Sequence, residues 1–202
     1  MSAVQDPAAG PRPGTRRRGE ALERAILDAT IEQLSSVGYT GLTMEGVAAA
    51  AGTGKAALYR RWSDRDDLLA AALRHVLPDP RAVELTGDVG ADLLALLRCI
   101  RDAITRTHGS VFKVVRAEVA GAGGMLHSVV GQRVMDPCHE LIAEVLRRGA
   151  ESGELRPEAA SRMVATVGPA LIVHFVVHHG PNVPDDYVDS IVDEVLVPLT
   201  AR

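Results

Sequence analysis

The stretch KAALYRRW, from Lys55 to Trp62, sets a lysine, a tyrosine and two arginines around a pair of alanines within about two helical turns. On a helix, 100° per residue puts Leu58 and Trp62 on one face. Ala56, Ala57 and Arg60 then project outward, with Lys55 and Tyr59 on one flank and Arg61 on the other. An outward face of two alanines and an arginine is poor core material. It suits the major groove of DNA, where an alanine methyl meets the thymine methyl and arginine reaches O6 and N7 of guanine. Lys55 and Tyr59 are placed to hydrogen-bond phosphates, which fixes register without reading sequence. The bland alternative is a solvated helix that carries basic residues by chance.

Two other groups of residues carry potential chemistry. His174 and His178, at i and i+4, share a helix face in a spacing that zinc and nickel sites use, with His179 beside them. No Cys, Asp or Glu next to them completes a ligand set, so buried or interface histidines are expected and a metal site is not. Cys138-His139 after Pro137 suggests a redox or metal sensor, against which a lone buried thiol is the simpler expectation. Cys99 and Cys138 stand far apart without CxxC spacing, which favours a reduced, cytoplasmic compartment over a disulfide framework. No GxSxG, HExxH, P-loop or dinucleotide fingerprint occurs. Gly121–Gly124 is glycine-rich but follows a helix and lacks a lysine. Neither an enzyme nor a cofactor is expected.

The elements that must position KAALYRRW are legible from spacing. A helix from Glu20 to Val37 carries Leu22, Ala25, Ile26, Ala29, Leu34 and Val37, with Gly38 where a C-cap is wanted. Thr43 is the N-cap of a second helix, Met44–Ala51, with Glu45 in its first turn and Val47 as its anchor. Gly52-Thr53-Gly54 then breaks the chain before Lys55. Two short helices joined by such a turn form a helix-turn-helix. Ser63 with Asp66 three residues on opens a fourth helix, whose stripe is Leu68, Leu69, Ala72, Leu73 and Val76. Pro78-Asp79-Pro80 ends it and marks a seam.

Beyond the seam the pattern is helical throughout: Asp88–Thr107, Ser110–Ala120, Met125 to Ser152 with a disturbance at Pro137, Glu158–His179 and Asp185–Leu199. The last two have apolar stripes wider than packing on one side requires, Val192 and Leu196 among them, which predicts an inter-subunit bundle. With 202 residues, 47% apolar and only 3% aromatic, the chain has ample material for helical cores. The net charge of -4 argues against nonspecific nucleic-acid binding, but Arg12, Arg16, Arg17 and Arg18 cluster near the N-terminus. Residues 1–18 read as a disordered basic arm that adds phosphate attraction. The N-terminus lacks an apolar signal-peptide core. The apolar run Met163–Val177 falls short of the roughly 20 residues a membrane span needs.

The segment LTMEGVAAAAGTGKAALYRRWSDRDDLLAAAL resembles the DNA-binding signature of the TetR family of bacterial transcription regulators. The resemblance rests on Thr43, Val47-Ala48, Gly52, Lys55, Ala56-Ala57, Leu58-Tyr59, Arg60, Trp62, Arg65 and Asp66-Asp67-Leu68, in order and spacing, and spans about residues 20–77. It implies that Thr43, Lys55, Tyr59 and Arg61 contact phosphates, that Ala56, Ala57 and Arg60 lie nearest the bases, and that Arg65 adds a phosphate contact. Gly54 stands where the family often has a capping Ser, Ala56-Ala57 replace a frequent Gly-Thr, and Arg61 takes a place often held by His. These departures leave the operator sequence open. Toward the C-terminus Gly153–Pro157, the Gly168-Pro169 step and the final helix resemble a common family subtype. There the last two helices form a homodimer interface and the domain encloses a small-molecule pocket.

The expectation is therefore an all-α protein. Residues 19–78 form an N-terminal three-helix helix-turn-helix domain, and 79–202 a C-terminal helical ligand-binding and dimerisation domain. It would act as a cytoplasmic regulator, most simply a repressor released from double-stranded operator DNA by a small-molecule effector of unknown identity. Its homodimer would use 158–179 and 185–199, with no membrane partner. A constitutive regulator without ligand is the alternative, and a metal-responsive one using His174 and His178 a remote one. Arg116, Glu118 and Arg133 are polar residues of the ligand domain that could anchor an effector.

Overall fold

The computed structural model describes residues 13–110, 112 and 124–202, and only the backbone of 13–18 and 125–126. Its regular elements are α1 (Pro13–Gly41), α2 (Met44–Ala50), α3 (Lys55–Tyr59), α4 (Arg65–Val76), α5 (Val89–Arg106), α6 (Met125–Val130), α7 (Asp136–Ser152), α8 (Arg162–His179), α9 (Asp185–Ser190) and α10 (Val197–Thr200). Single 3₁₀ turns lie at Pro80–Ala82 and Pro157–Ala159. Most of the helix expected over Ser110–Ala120, with Arg116 and Glu118, lies outside the described residues, as does the arm over 1–12.

Helix α1 begins before the expected Glu20. Pro13 suits a first helical position and the arginines that follow are good helix formers, so 13–18 continue the helix rather than an irregular arm. Gly38, at φ 70° and ψ 177°, breaks the helix where a terminal glycine was expected. The break leaves Val37 half exposed, outside the stripe it was assigned to. α1 packs along α2 and α4. Ile26, Leu34, Val47, Leu58, Leu68, Leu69 and Leu73 meet there in a fully buried core.

The cap of α4 sits one residue later than expected. Asp64, not Ser63, accepts from the backbone N–H groups of Asp66 and Asp67, both at 2.9 Å. Asp67 in turn accepts from the N–H of Ser63, the residue before the cap, at 3.0 Å, so the return bond reaches one residue beyond a capping box.

The second layer is built on α5, which packs against α7, α8 and α9. Leu93, Leu96, Leu97 and Ile100 form its buried face. Gly168 lets α8 cross it closely, since a Cβ there would lie 2.9 Å from Leu97 Cδ2. Asp92 is 2% exposed and carries no spacing signal that would have marked it. Its carboxylate accepts from Thr86 N–H (2.6 Å), Thr86 Oγ1–H (2.9 Å) and Gly87 N–H (3.0 Å), holding the turn that enters α5. Asp92→Ala would strand those donors, and a loss of about 3 kcal/mol in denaturant-melt stability is expected.

Two of the three prolines that lie within helical runs, Pro137 and Pro198, follow a π-helical turn, whereas Pro169 sits inside regular α8. A π-helical turn spans Gly131–Met135 ahead of Pro137, and another spans Ile191–Leu196 ahead of Pro198. The N–H of Asp136 reaches the carbonyl of Gly131, and that of Val197 the carbonyl of Val192, in each case five residues back. Proline lacks the N–H and its ring crowds the carbonyl four residues earlier, and at Pro137 and Pro198 the preceding turn is a widened one. The disturbance expected at Pro137 is therefore a bulge just before it.

Candidate nucleic-acid interface

Thr43 Oγ1 accepts from the Gly46 N–H at 3.0 Å and starts α2. Gly52, at φ 62°, makes the left-handed turn that ends it, and Gly54 precedes α3 without a side-chain cap. Regular α3 ends at Tyr59, earlier than the Trp62 expected. The chain still curls on, because the N–H groups of Arg61 and Trp62 both reach the Leu58 carbonyl, at 2.8 and 3.0 Å. Leu58 is fully buried and Trp62 6% exposed, the two anchors that spacing implied.

The outward face is narrower than expected. Ala57 is 7% exposed and belongs to the buried side, next to Leu58 on the flank away from the exposed Tyr59. Lys55, Ala56, Tyr59, Arg60 and Arg61 remain on the surface, with Tyr59 53% exposed.

The basic groups differ in how free they are. Lys55 Nζ lies 2.5 Å from Glu45, both half exposed. The Lys55 hydrogen bond holds the Glu45 carboxyl below its ordinary range, yet an exposed pair of this kind is worth little and opens readily. Arg61 folds back, donating to the Ala57 carbonyl at 3.1 Å with Glu23 at 3.7 Å. Arg65 is more committed still. Its guanidinium stacks 4.4 Å from the centre of the Tyr39 ring, donates to the Tyr39 carbonyl at 3.3 Å and to Asp66 at 3.1 Å, while Tyr39 Oη–H also donates to Asp66. That cluster ties the end of α1 to the start of α4 and escaped the sequence reading, which saw Arg65 only as a phosphate ligand. Burial, then the hydrogen bond to Asp66, raises the Tyr39 hydroxyl above its usual range.

In the second layer the described residues enclose a partly open cavity of about 210 Å³ between α5, α8 and the α6–π-turn segment. Arg133 does not line it; its guanidinium donates to Asp79 at 2.8 Å. Cys138 is not a lone thiol. Its Sγ–H donates to the Leu96 carbonyl at 3.9 Å, and the neighbouring Cys99, with burial, pushes the Cys138 thiol up. His174 and His178 stack with ring centres 4.5 Å apart but are exposed, not buried. Met163, Val167, Ala170, Leu171, His174, Val177 and His178 share one exposed or half-exposed face of α8, opposite the buried Ala165, Gly168, Ile172 and Val176. Val192 and Leu196, expected at an interface, are 2% and 3% exposed and belong to the core of the single chain. No helix among the described residues is long and apolar enough to cross a membrane.

Known proteins match this arrangement. The model of bacterial regulatory proteins of the tetR family matches residues 26–72, and that of the tetracyclin repressor-like C-terminal domain matches 83–195. A protein named as an uncharacterised HTH-type transcriptional regulator of Mycobacterium tuberculosis is 29% identical over 203 residues, covering 100% of this chain and 96% of the relative. A protein named DNA-binding transcriptional repressor TetR, of Mycobacteroides abscessus, is 28% identical over 184 residues, covering 90% of this chain and 95% of the relative. Among solved structures, SmeT, the repressor of the Stenotrophomonas maltophilia multidrug efflux pump SmeDEF, superposes with a TM-score of 0.67. It is 18% identical, with 91% of this chain and 92% of that one covered.

Proposed function

The chain belongs to the TetR family and is a DNA-binding transcriptional regulator, and from that premise we infer that it is a repressor released from its operator by a small molecule. The observation that carries the reading is the geometry of α3. Buried Leu58 and Trp62 seat it on the first core, leaving Ala56, Tyr59 and Arg60 turned to solvent. In this reading Arg60 and Ala56 meet base edges, Lys55, Tyr59 and the Thr43 hydroxyl grip phosphates, and Ala57 stands behind the reading face. Arg61 and Arg65 reach phosphates only by leaving Glu23 and the Tyr39–Asp66 cluster. Residues 19–78 act as the DNA-binding unit and 79–202 as the sensing and dimerising one, in the cytoplasm.

A second copy of the chain covers the apolar face of α8, so that two recognition helices address successive major grooves. An effector in the C-terminal cavity favours a conformation in which their spacing is wrong. Moving that equilibrium from 1:99 to 99:1 takes a differential affinity of about 5.5 kcal/mol. Mapping genome occupancy and then footprinting the purified full-length protein tests the whole reading. A two-fold footprint with half-sites about one helical turn or a multiple apart is expected, and a single asymmetric footprint would sink the dimeric arrangement.

A further inference from the structure

The walls of the cavity say what can enter it. Leu77, Ile100, Ile104, Phe112, Val134 and Met135 face the space, and no charged or amide side chain among the described residues joins them. The single polar wall group among the described residues is Thr107, 1% exposed. Its hydroxyl proton is used within α5, shared between the carbonyls of Ala103 at 3.0 Å and Ile104 at 3.1 Å. A lone pair on Oγ1 is left to accept. An apolar cavity of about 150 Å³ is known to hold benzene, and this one is somewhat larger at about 210 Å³. An ion entering it would lose its water and meet no counter-charge among the described residues.

We propose that this cavity takes a compact, uncharged, largely apolar compound of one or two rings, with at most one hydrogen-bond donor, and that the donor meets Thr107 Oγ1. The proposal rests on the ligand-responsive reading above and narrows it to a chemical class. The same geometry indicates how occupancy is sensed. Leu77 is the residue that ends α4, which packs on α1 in the first core and on α6. The wall on the other side is the π-helical turn ahead of Pro137, through Val134 and Met135. A bound ring therefore braces the widened turn and the end of α4 at once.

The test uses the full-length protein with 2-naphthol, 2-naphthoate and 2-naphthylmethylammonium, read by thermal shift and by release from operator DNA. Stabilisation by 2-naphthol, with both ions at least tenfold weaker, is the expected result. Ions that match 2-naphthol, or a protein that binds operator and none of the three, would overturn the proposed class. A protein that binds 2-naphthol but no operator would support the cavity and overturn the regulator reading instead. Ala103→Leu fills the space from α5, and Val173→Phe fills it from α8 should the first variant not fold. Either is expected to weaken 2-naphthol at least tenfold, and unchanged affinity in a folded variant places the ligand elsewhere. Hydrogen exchange should slow on 2-naphthol binding at 130–135 and at Leu77; slowing confined to other segments would refute the bracing.

Discussion

Arg60→Ala is expected to bind operator DNA weakly and almost without preference. A bidentate arginine–guanine contact is worth about 1–3 kcal/mol of discrimination, and a two-fold operator meets the loss twice, so the ratio of specific to nonspecific binding should fall by roughly 30- to 2 × 10⁴-fold. Lys55→Ala should behave differently. It removes one phosphate contact per protomer, weakening specific and nonspecific sites alike and lowering the slope of log affinity against log salt by about 1.8 for the dimer. Glu45→Gln is a control of opposite sign, because it frees Lys55 from its ion pair and removes a carboxylate from beside the phosphates. Titrations of the three variants at several salt concentrations read all of this. An Arg60→Ala protein with undiminished specificity would remove α3 from the groove.

Met163→Asp together with Val177→Asp is expected to give a folded monomer. The two side chains are 75% and 43% exposed in the single chain, on the apolar face of α8, so charging them should cost the fold little. Across a two-fold interface each carboxylate would be buried twice without a partner, and about 2 kcal/mol or more per site would raise the dimer dissociation constant by at least 10³-fold. Sedimentation velocity with far-ultraviolet circular dichroism distinguishes dissociation from unfolding. A dimer that survives would place the interface elsewhere. Val192 and Leu196 cannot serve this purpose, since an aspartate in either core position would unfold the chain before it reported on association.

The broad stripes of the last two helices illustrate where sequence reasoning reaches its limit. A stripe wider than one packing face requires a second apolar surface, but spacing cannot say which residues face the chain's own core and which face outward. In α8 the outward set starts at Met163; in the last helical run, Val192 and Leu196 share with Val188 the face that turns inward. The Ala57 correction has the same origin, because alanine carries too little side chain for its type to declare a face. Asp92 and the Tyr39–Arg65–Asp66 cluster left no periodic trace at all. The partners of Asp92 come from the turn before α5, and Tyr39 lies 27 residues from Asp66, joined to it only when α1 and α4 pack.

The sequence by itself determined the helical class, the cap at Thr43, the Gly52 turn and the anchors Leu58 and Trp62. These depend on local rules: periodicity, capping oxygens and residues that permit or forbid particular backbone angles. Only the tertiary structure decided how free each basic residue is, that Cys99 meets Cys138, and that an apolar cavity backs onto the end of α4. Those properties belong to pairs of surfaces, and the distances between surfaces are set by packing side chains from elements far apart in the chain.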